Sequence, residues 1–374
     1  MKKFILAICT AGTALFLAVS PLSAQTPEQN TYLSFLRKGM DQMKTGDYRA
    51  AQDSFENALR YQDSGVEAHA GLGMVYYHQR EDRYAERELK RVLEHDPRFA
   101  SAYEVLGEIA YRNDDIETAI LYWERAVVLD PSAAPLRERL VRVRKEQKTE
   151  KDFNRDVTSH FLTKYEGREK VEAGRIILKI LEDAYGEVGR ALSYYPDREI
   201  QVVLYSNEQF REVTDAPGWS AGVYDGKIRI PAGGIEQETP GLRRLLYHEY
   251  THAVVRSLAP RCPTWLNEGL AQYFEGRDID ARQRTALKRV AGEGKLPPLS
   301  KLEGSFMGLR DEQAAYTYLV SLSAVRYMID SFGLYRVRSV LDELAAGADA
   351  SKALAAGIAL SSEEFERGWK KSLE

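Results

Sequence analysis

The feature that most constrains this chain is a repeat of period 34 in its N-terminal third. Gly39, Gly73 and Gly107 fall 34 residues apart, as do Ala51, Ala85 and Ala119, and Ala58, Val92 and Ala126. Phe55, Leu89 and Trp123 share the spacing, and so do Asp63, Pro97 and Pro131. A period of this length marks a supersecondary unit that cannot bury its apolar face alone and must stack on its neighbours. Glycine and alanine at fixed places let the two helices of a unit approach closely. The large residue four after the alanine fills the space between units, and proline, which lacks an N–H, ends the second helix. Leu72 and Leu106 precede their glycines but Lys38 precedes Gly39, so the first unit is degenerate. Three units are expected, at about 32–65, 66–99 and 100–133, with a helix around Pro135 to Val141 capping the stack.

This pattern resembles the tetratricopeptide repeat. The resemblance implies an α-solenoid over 32–146 whose concave surface takes a protein or peptide. A spacer, or a platform that docks on the rest of the chain, is the other use of such a stack. The residues expected on its inner faces include Met40, Met43, Tyr77, His78, Glu104 and Glu108, a mixture that specifies no ligand charge. The highly charged run Lys145 to Asp152 ends the periodicity and places a domain boundary near 147.

Ahead of the repeats, Lys2 and Lys3 precede an apolar run from Phe4 to Ser20, and small Ala24 follows at a plausible cleavage point. A basic start, an apolar core and a small residue describe a secretory signal peptide over 1–24, and hence a periplasmic or secreted protein. An uncleaved anchor is the rival reading, because the run is near the lower length limit for a membrane span. Cleavage would remove Cys9 and leave Cys262 as the single thiol, so no intrachain disulfide is expected. No later stretch approaches the length of a span. With 52 basic against 56 acidic residues, the chain lacks the basic surplus of a nucleic-acid binder, and no such partner is expected.

The second domain, 147–374, reads as α+β. Val157 to Tyr165 alternates like a strand, Glu169 to Leu192 has helical apolar spacing, and Ile200 to Tyr205 is a strand. Gly222 to Pro231 reads as a hairpin turning at Asp225-Gly226. From Pro240 onward the pattern is almost entirely helical, and strands followed by helices suggest an α+β domain.

The six histidines are scarce, and their positions carry the chemistry. Thr239-Pro240 is a helix start, a capping hydroxyl followed by a residue that needs no N–H. The helix runs from Leu242 to Leu258 and contains His248-Glu249-Tyr250-Thr251-His252. Residues i and i+4 share a helix face, so both imidazoles can reach one ion. Glu249 can hold a metal-bound water without being a ligand, which is the metalloprotease motif. Two histidines on a helix surface are the bland alternative. After Pro263, Thr264 is placed to cap a second helix from Trp265 to Glu275, ended by Gly276. It supplies the carboxylate that a two-histidine zinc site needs: Glu268 in the first turn, where the following Gly269 allows close packing against the first helix, with Glu275 seven residues later as the runner-up. His69, His78, His95 and His160 are read as structural, and Cys262 as a structural thiol rather than a redox switch.

The two segments His248-Glu249-Tyr250-Thr251-His252 and Pro263-Thr264-Trp265-Leu266-Asn267-Glu268-Gly269-Leu270-Ala271 resemble the gluzincins, in particular the bacterial peptidase MA-like family. Looser similarity extends over about 156–374, through the Tyr224 to Pro231 hairpin, Tyr318 to Met328 and Phe365 to Trp369. The stretch between His252 and Glu268 is shorter than in the larger gluzincins. The resemblance implies one Zn²⁺ per chain held by His248, His252 and Glu268. It implies Glu249 as the base that takes a proton from water and delivers it to the leaving amine. It also implies a donor for the oxyanion from a later helix, Tyr318 or else Tyr316. Lys227 to Ile230 is expected as an edge strand that aligns an extended peptide.

The expected activity is therefore a zinc metallopeptidase with a repeat module for protein interaction. Two other readings use the same residues. One is an envelope assembly factor with a non-catalytic metal site. The other is a zinc hydrolase acting on a cell-wall amide.

Overall fold

The computed structural model describes residues 26–167, 169–214, 222–306 and 309–373. The expected signal segment 1–24 lies outside the described residues. No helix among them is long and apolar enough to cross a membrane. The fold is an α-solenoid followed by an α+β domain. The chain divides into two compact units, one ending at Lys148 and the other beginning at Thr149.

The first unit is built of paired helices: α1 (Pro27–Thr45) with α2 (Tyr48–Tyr61), α3 (Val66–His78) with α4 (Asp82–His95), and α5 (Ala100–Arg112) with α6 (Ile116–Leu129). Helix α7 (Ala134–Glu150) follows, burying Leu136, Leu140 and Val143. The period-34 residues explain the pairing. A Cβ on Gly39 would stand 2.7 Å from Phe55, one on Gly73 2.7 Å from Leu89, and one on Gly107 2.4 Å from Trp123. Each large side chain thus seats on the glycine of its own unit, where the sequence suggested it would fill the gap between units. Phe55 does both, since a Cβ on Gly71 of the next unit would meet its ring at 2.6 Å.

The second unit opens with β1 (Asn154–Val157) and β2 (Phe161–Tyr165), paired antiparallel. The single strand expected over Val157 to Tyr165 is therefore two. The Thr158 hydroxyl oxygen accepts N–H bonds from His160 and Phe161 and turns the chain, while the alternation of side chains runs on through the turn. Helix α8 (Glu169–Leu192) crosses over to β3 (Ile200–Tyr205), parallel to β2. Helix α9 (Asn207–Thr214) precedes β4 (Val223–Tyr224) and β5 (Ile228–Pro231), which form the expected hairpin with Gly226 at φ 112°. The strand order is β1-β2-β3-β5-β4. Lys227 to Ile230 is consequently not an edge: β5 pairs with β3 on one side and β4 on the other, and β4 is the exposed margin.

The remaining elements are helical: α10 (Pro240–Leu258), α11 (Thr264–Phe274), α12 (Ala281–Gly292), α13 (Asp311–Phe332), α14 (Leu334–Ala345), α15 (Ala350–Ile358) and α16 (Ser362–Ser372). Period-2 alternation divides the sheet. Val202, Leu204, Ile228 and Ile230 join the main core with Ile177, Ile180, Leu181 and Val188 of α8 and with Leu246, Tyr250 and Val254 of α10. On the other face, Lys164, Tyr205 and Arg229 surround Glu150. The Glu150 carboxylate accepts from Lys164 at 3.1 Å, and Arg229 donates to the Tyr205 hydroxyl at 2.6 Å and to Asp225 at 3.0 Å. These buried charges are paired, as buried charges must be.

Candidate metal centre

Helix α10 begins as the sequence indicates, with Pro240 in its first turn and the Thr239 hydroxyl accepting from Leu242 N–H at 3.1 Å. Only five residues, Ala259 to Pro263, join it to α11, so the two helices pack directly. Thr264 is the first residue of α11 rather than its cap. Its hydroxyl is drawn away to the Glu303 carbonyl at 3.0 Å. Gly276 closes the helix at φ 78°.

One ligand atom each from His248, His252 and Glu268 lie within 4.8 Å of one another, the only such cluster found among the described residues. Glu268 Oε2 is 3.7 Å from His248 Nε2 and 3.6 Å from His252 Nε2. The far ring nitrogens are held from behind: His248 Nδ1 is 2.9 Å from Glu275 and His252 Nδ1 is 3.1 Å from Asn267 Oδ1. Both partners are acceptors, which puts the Nδ1 protons there and leaves the Nε2 lone pairs facing Glu268. Glu275, the alternative ligand, therefore orients His248 from the side opposite Glu268. Neither this role of Glu275 nor that of Asn267 was assigned from the sequence, although both flank or follow the Glu268 segment.

Side-chain exposures of 19%, 12% and 15% for His248, His252 and Glu268 make the cluster dry but reachable. Burial pushes the Glu268 carboxyl up to about 7 and, with the charge on His248, pushes His252 down to about 4. Burial also opposes charge on His248, but the bond to Glu275 and the nearby Glu249 and Glu268 outweigh it and push the ring up to about 9. The surrounding carboxylates thus favour a positive charge on His248, while burial and the charge on His248 keep His252 neutral. Glu268 Oε2 is buried and meets no hydrogen-bond donor among the described residues. An orphaned carboxylate oxygen facing two imidazole nitrogens fits a zinc ion as the shared partner.

Glu249 is buried, its carboxyl raised chiefly by desolvation, and the Tyr224 backbone N–H on β4 bonds it. A Cβ on Gly222 would stand 3.1 Å from Ile230 and Leu245 and 3.4 Å from Glu249 Cγ, so the chain there packs closely beside the Glu249 side chain. Tyr318, on α13, has its ionisation suppressed by burial and by the charges of Glu268 and Glu249, which places its hydroxyl in their field. Tyr316 responds to burial alone, and its hydroxyl has no partner among the described residues. The remaining four histidines stand apart: His69 bonds Glu88 at 2.8 Å, His160 bonds Glu182 at 2.7 Å, His78 stacks on Tyr48, and His95 is the last residue of α4. Burial raises the Cys262 thiol, the opposite of what a reactive cysteine needs.

A family model described as the Peptidase MA superfamily matches residues 192–374, and one described as the tetratricopeptide repeat matches 36–82 and 83–134. No curated protein matches the chain. Among solved structures, a point mutant of the Thermobaculum terrenum O-GlcNAc transferase is 17% identical with a TM-score of 0.29, covering 51% of this chain and 42% of its own. The Pseudomonas aeruginosa pilF protein is 17% identical with a TM-score of 0.29, covering 71% of this chain and 94% of its own. The chain thus spans less than half the length of the transferase. It combines a segment matching the tetratricopeptide repeat with a C-terminal segment matching the Peptidase MA superfamily.

Proposed function

We propose that the C-terminal domain is a zinc metallopeptidase, exported on the N-terminal segment, and that the repeat domain presents it with protein substrates or partners. The observation that carries the reading is the convergence of His248, His252 and Glu268 within 4.8 Å beside a buried Glu249. His248, His252 and Glu268 would hold the ion, leaving a position open for water. When bound, zinc supplies Lewis acidity, making a water easier to deprotonate and a carbonyl more electrophilic.

The chain's own residues do the rest. Glu249 takes the water proton and returns it to the leaving amine; its raised carboxyl pKa suits a group that must do both. The Tyr224 N–H fixes the carboxylate in place. The Tyr318 hydroxyl donates to the developing oxyanion. β4, rather than β5, is the outer strand along which an extended peptide would lie.

The test is zinc analysis of the wild type, His252→Ala and Glu249→Gln, each assayed on an unfolded protein substrate and on peptidoglycan. The expected result is about one zinc in wild type and Glu249→Gln, loss of zinc in His252→Ala, and hydrolysis of the protein substrate by wild type alone. Cleavage of peptidoglycan alone would move the activity to a cell-wall amide. Zinc without turnover on either substrate would favour the non-catalytic assembly role.

A further inference from the structure

The amide of Gln272 joins the helix that carries Glu268 to the helix that carries Tyr318. Gln272 is fully buried in α11. Its Nε2 donates to the Glu268 carbonyl at 3.1 Å and to the Tyr318 carbonyl at 2.9 Å. Both neighbours are acceptors only, so the chemistry itself fixes which end of the amide faces them. The other end, Oε1, is buried with no donor among the described residues. A leucine or methionine would fill the same space without leaving an oxygen unsatisfied, so the amide costs stability that packing alone does not require.

The seam around Gln272 is unusually close. A Cβ on Gly269 would stand 2.4 Å from Val325 Cγ2 and 2.6 Å from the Ser321 carbonyl, so the backbones of α11 and α13 nearly touch one turn beyond Tyr318. Packing at a glycine resists approach but leaves α13 free to slide and rotate along α11. The bond to the Glu268 carbonyl anchors the amide on its own helix, and the bond to the Tyr318 carbonyl crosses to α13 and restrains that freedom at the turn bearing Tyr318. Phe306 meets the Tyr318 ring edge to face at 5.6 Å and limits its swing.

We propose that Gln272 is a positioning residue that sets Tyr318 by locking the turn of α13 that bears it onto α11. The inference rests on the reading of Tyr318 as the oxyanion donor. Gln272 itself touches neither substrate nor reacting atoms. An error of about 1 Å in a catalytic group is enough to cost up to a hundredfold in rate.

The test uses the zinc-loaded full chain with ¹³C-labelled tyrosine, the Tyr318 ring signal being assigned with Tyr318→Phe. Gln272→Met keeps the volume and removes the donors. It is expected to move the Tyr318 signal and to lower kcat about tenfold, with KM changed less than about twofold and zinc content unchanged. In a Tyr318→Phe background the same substitution is expected to lower kcat no further. Ser323→Ala, which removes a buried hydrogen bond to Trp369 elsewhere on α13, is expected to leave the Tyr318 signal where it was. If Gln272→Met does not fold, Gln272→Leu provides the same loss of the amide donor in a similar volume. An unmoved Tyr318 signal in a folded, zinc-loaded variant overturns the proposal, as does an equal loss of kcat in both backgrounds. A wild type that hydrolyses no peptide would defeat the peptidase reading instead, and the tyrosine signal would still decide the role of Gln272.

Discussion

The carboxylate of Glu275 lies 2.9 Å from Nδ1 of His248, while the other nitrogen of that ring faces Glu268 at 3.7 Å. One glutamate on α11 therefore aims the imidazole, and another, seven residues earlier, is the one that would share an ion with it in the proposed reading. A group that fixes the tautomer and direction of a ligating imidazole typically contributes 10- to 100-fold, as an order of magnitude, to metal affinity. Glu275→Ala is expected to weaken zinc binding by about that factor, measured by competition with a chromophoric chelator. Glu275→Gln, which keeps an acceptor at the same place, is expected to fall between. Equal affinity in wild type and Glu275→Ala would show that the contact does not serve the metal.

The two tyrosines of α13 should separate cleanly. Tyr318 lies in the field of Glu249 and Glu268, whereas the Tyr316 hydroxyl is buried without a partner among the described residues. Tyr318→Phe is expected to lower kcat by about 10²- to 10³-fold with zinc retained, the usual loss of an oxyanion donor. Tyr316→Phe is expected to leave activity unchanged and stability equal or slightly higher, because an unsatisfied hydroxyl is removed. Steady-state kinetics with a fluorogenic peptide decides the first, and thermal unfolding the second.

What the sequence revealed follows from which distances are local. His248 and His252 were legible because helical pitch alone brings i and i+4 together. The place of Glu268 in the first turn beside Gly269 favours it over Glu275 as the ligand, but the role of Glu275 was hidden, since seven residues return to nearly the same face of α11 and only its packing on α10 gives the two different partners. The β1–β2 turn was hidden because the Thr158 hydroxyl makes it without interrupting the alternation. Strand order depends on pairing between distant segments, so β5 passed for an edge. Lys164 and Arg229 sit at alternating polar positions that a strand pattern assigns to solvent, yet both are buried around Glu150. The order of the repeats, by contrast, was written in every unit, because each glycine needs its own large partner.

A buried imidazolium in the repeats should make their stability depend on pH. His69 Nδ1 is 2.8 Å from Glu88 and Nε2 is 2.9 Å from the Asp63 carbonyl, so both nitrogens face acceptors and both need a proton. The bond to Glu88 raises the His69 pKa against the opposing effect of burial and of Arg91. Burial pulls the Glu88 carboxyl up, but His69, Arg87 and Arg91 outweigh it and lower it. A raised histidine pKa gives stability that is complete below the unfolded value of about 6.5 and is lost as pH climbs through the folded value. A lowered glutamate pKa gives stability complete above about 4.3 and lost as pH falls through its folded value. The advantage of wild type over His69→Gln in urea unfolding is therefore expected to be largest between those limits, at about 1–3 kcal/mol, and to shrink at either side. A difference that does not vary with pH would mean the ring is neutral.

Glycine substitutions at two helical sites should act with opposite signs. In α5, a Cβ on Gly107 would stand 2.4 Å from Trp123, whose ring is fully buried and whose Nε1 donates to the Glu104 carbonyl at 3.0 Å. The ring cannot retreat, because Tyr111 packs on it and the Arg139 guanidinium lies over it at 4.6 Å. Gly107→Ala is expected to cost about 1–3 kcal/mol through overpacking, more than the backbone entropy it recovers. In α8, a Cβ on Gly186 meets nothing among the described residues nearer than Arg190 at 4.0 Å. There the same change adds only helix propensity, and Gly186→Ala is expected to stabilise by about 0.5–1 kcal/mol. Chemical denaturation of the full chain reads both, and a Gly107→Ala protein as stable as wild type would mean that Trp123 has another place to go. The sign differs because the repeat glycine is chosen for the absence of a Cβ against its partner, while the α8 glycine has no neighbour that requires it.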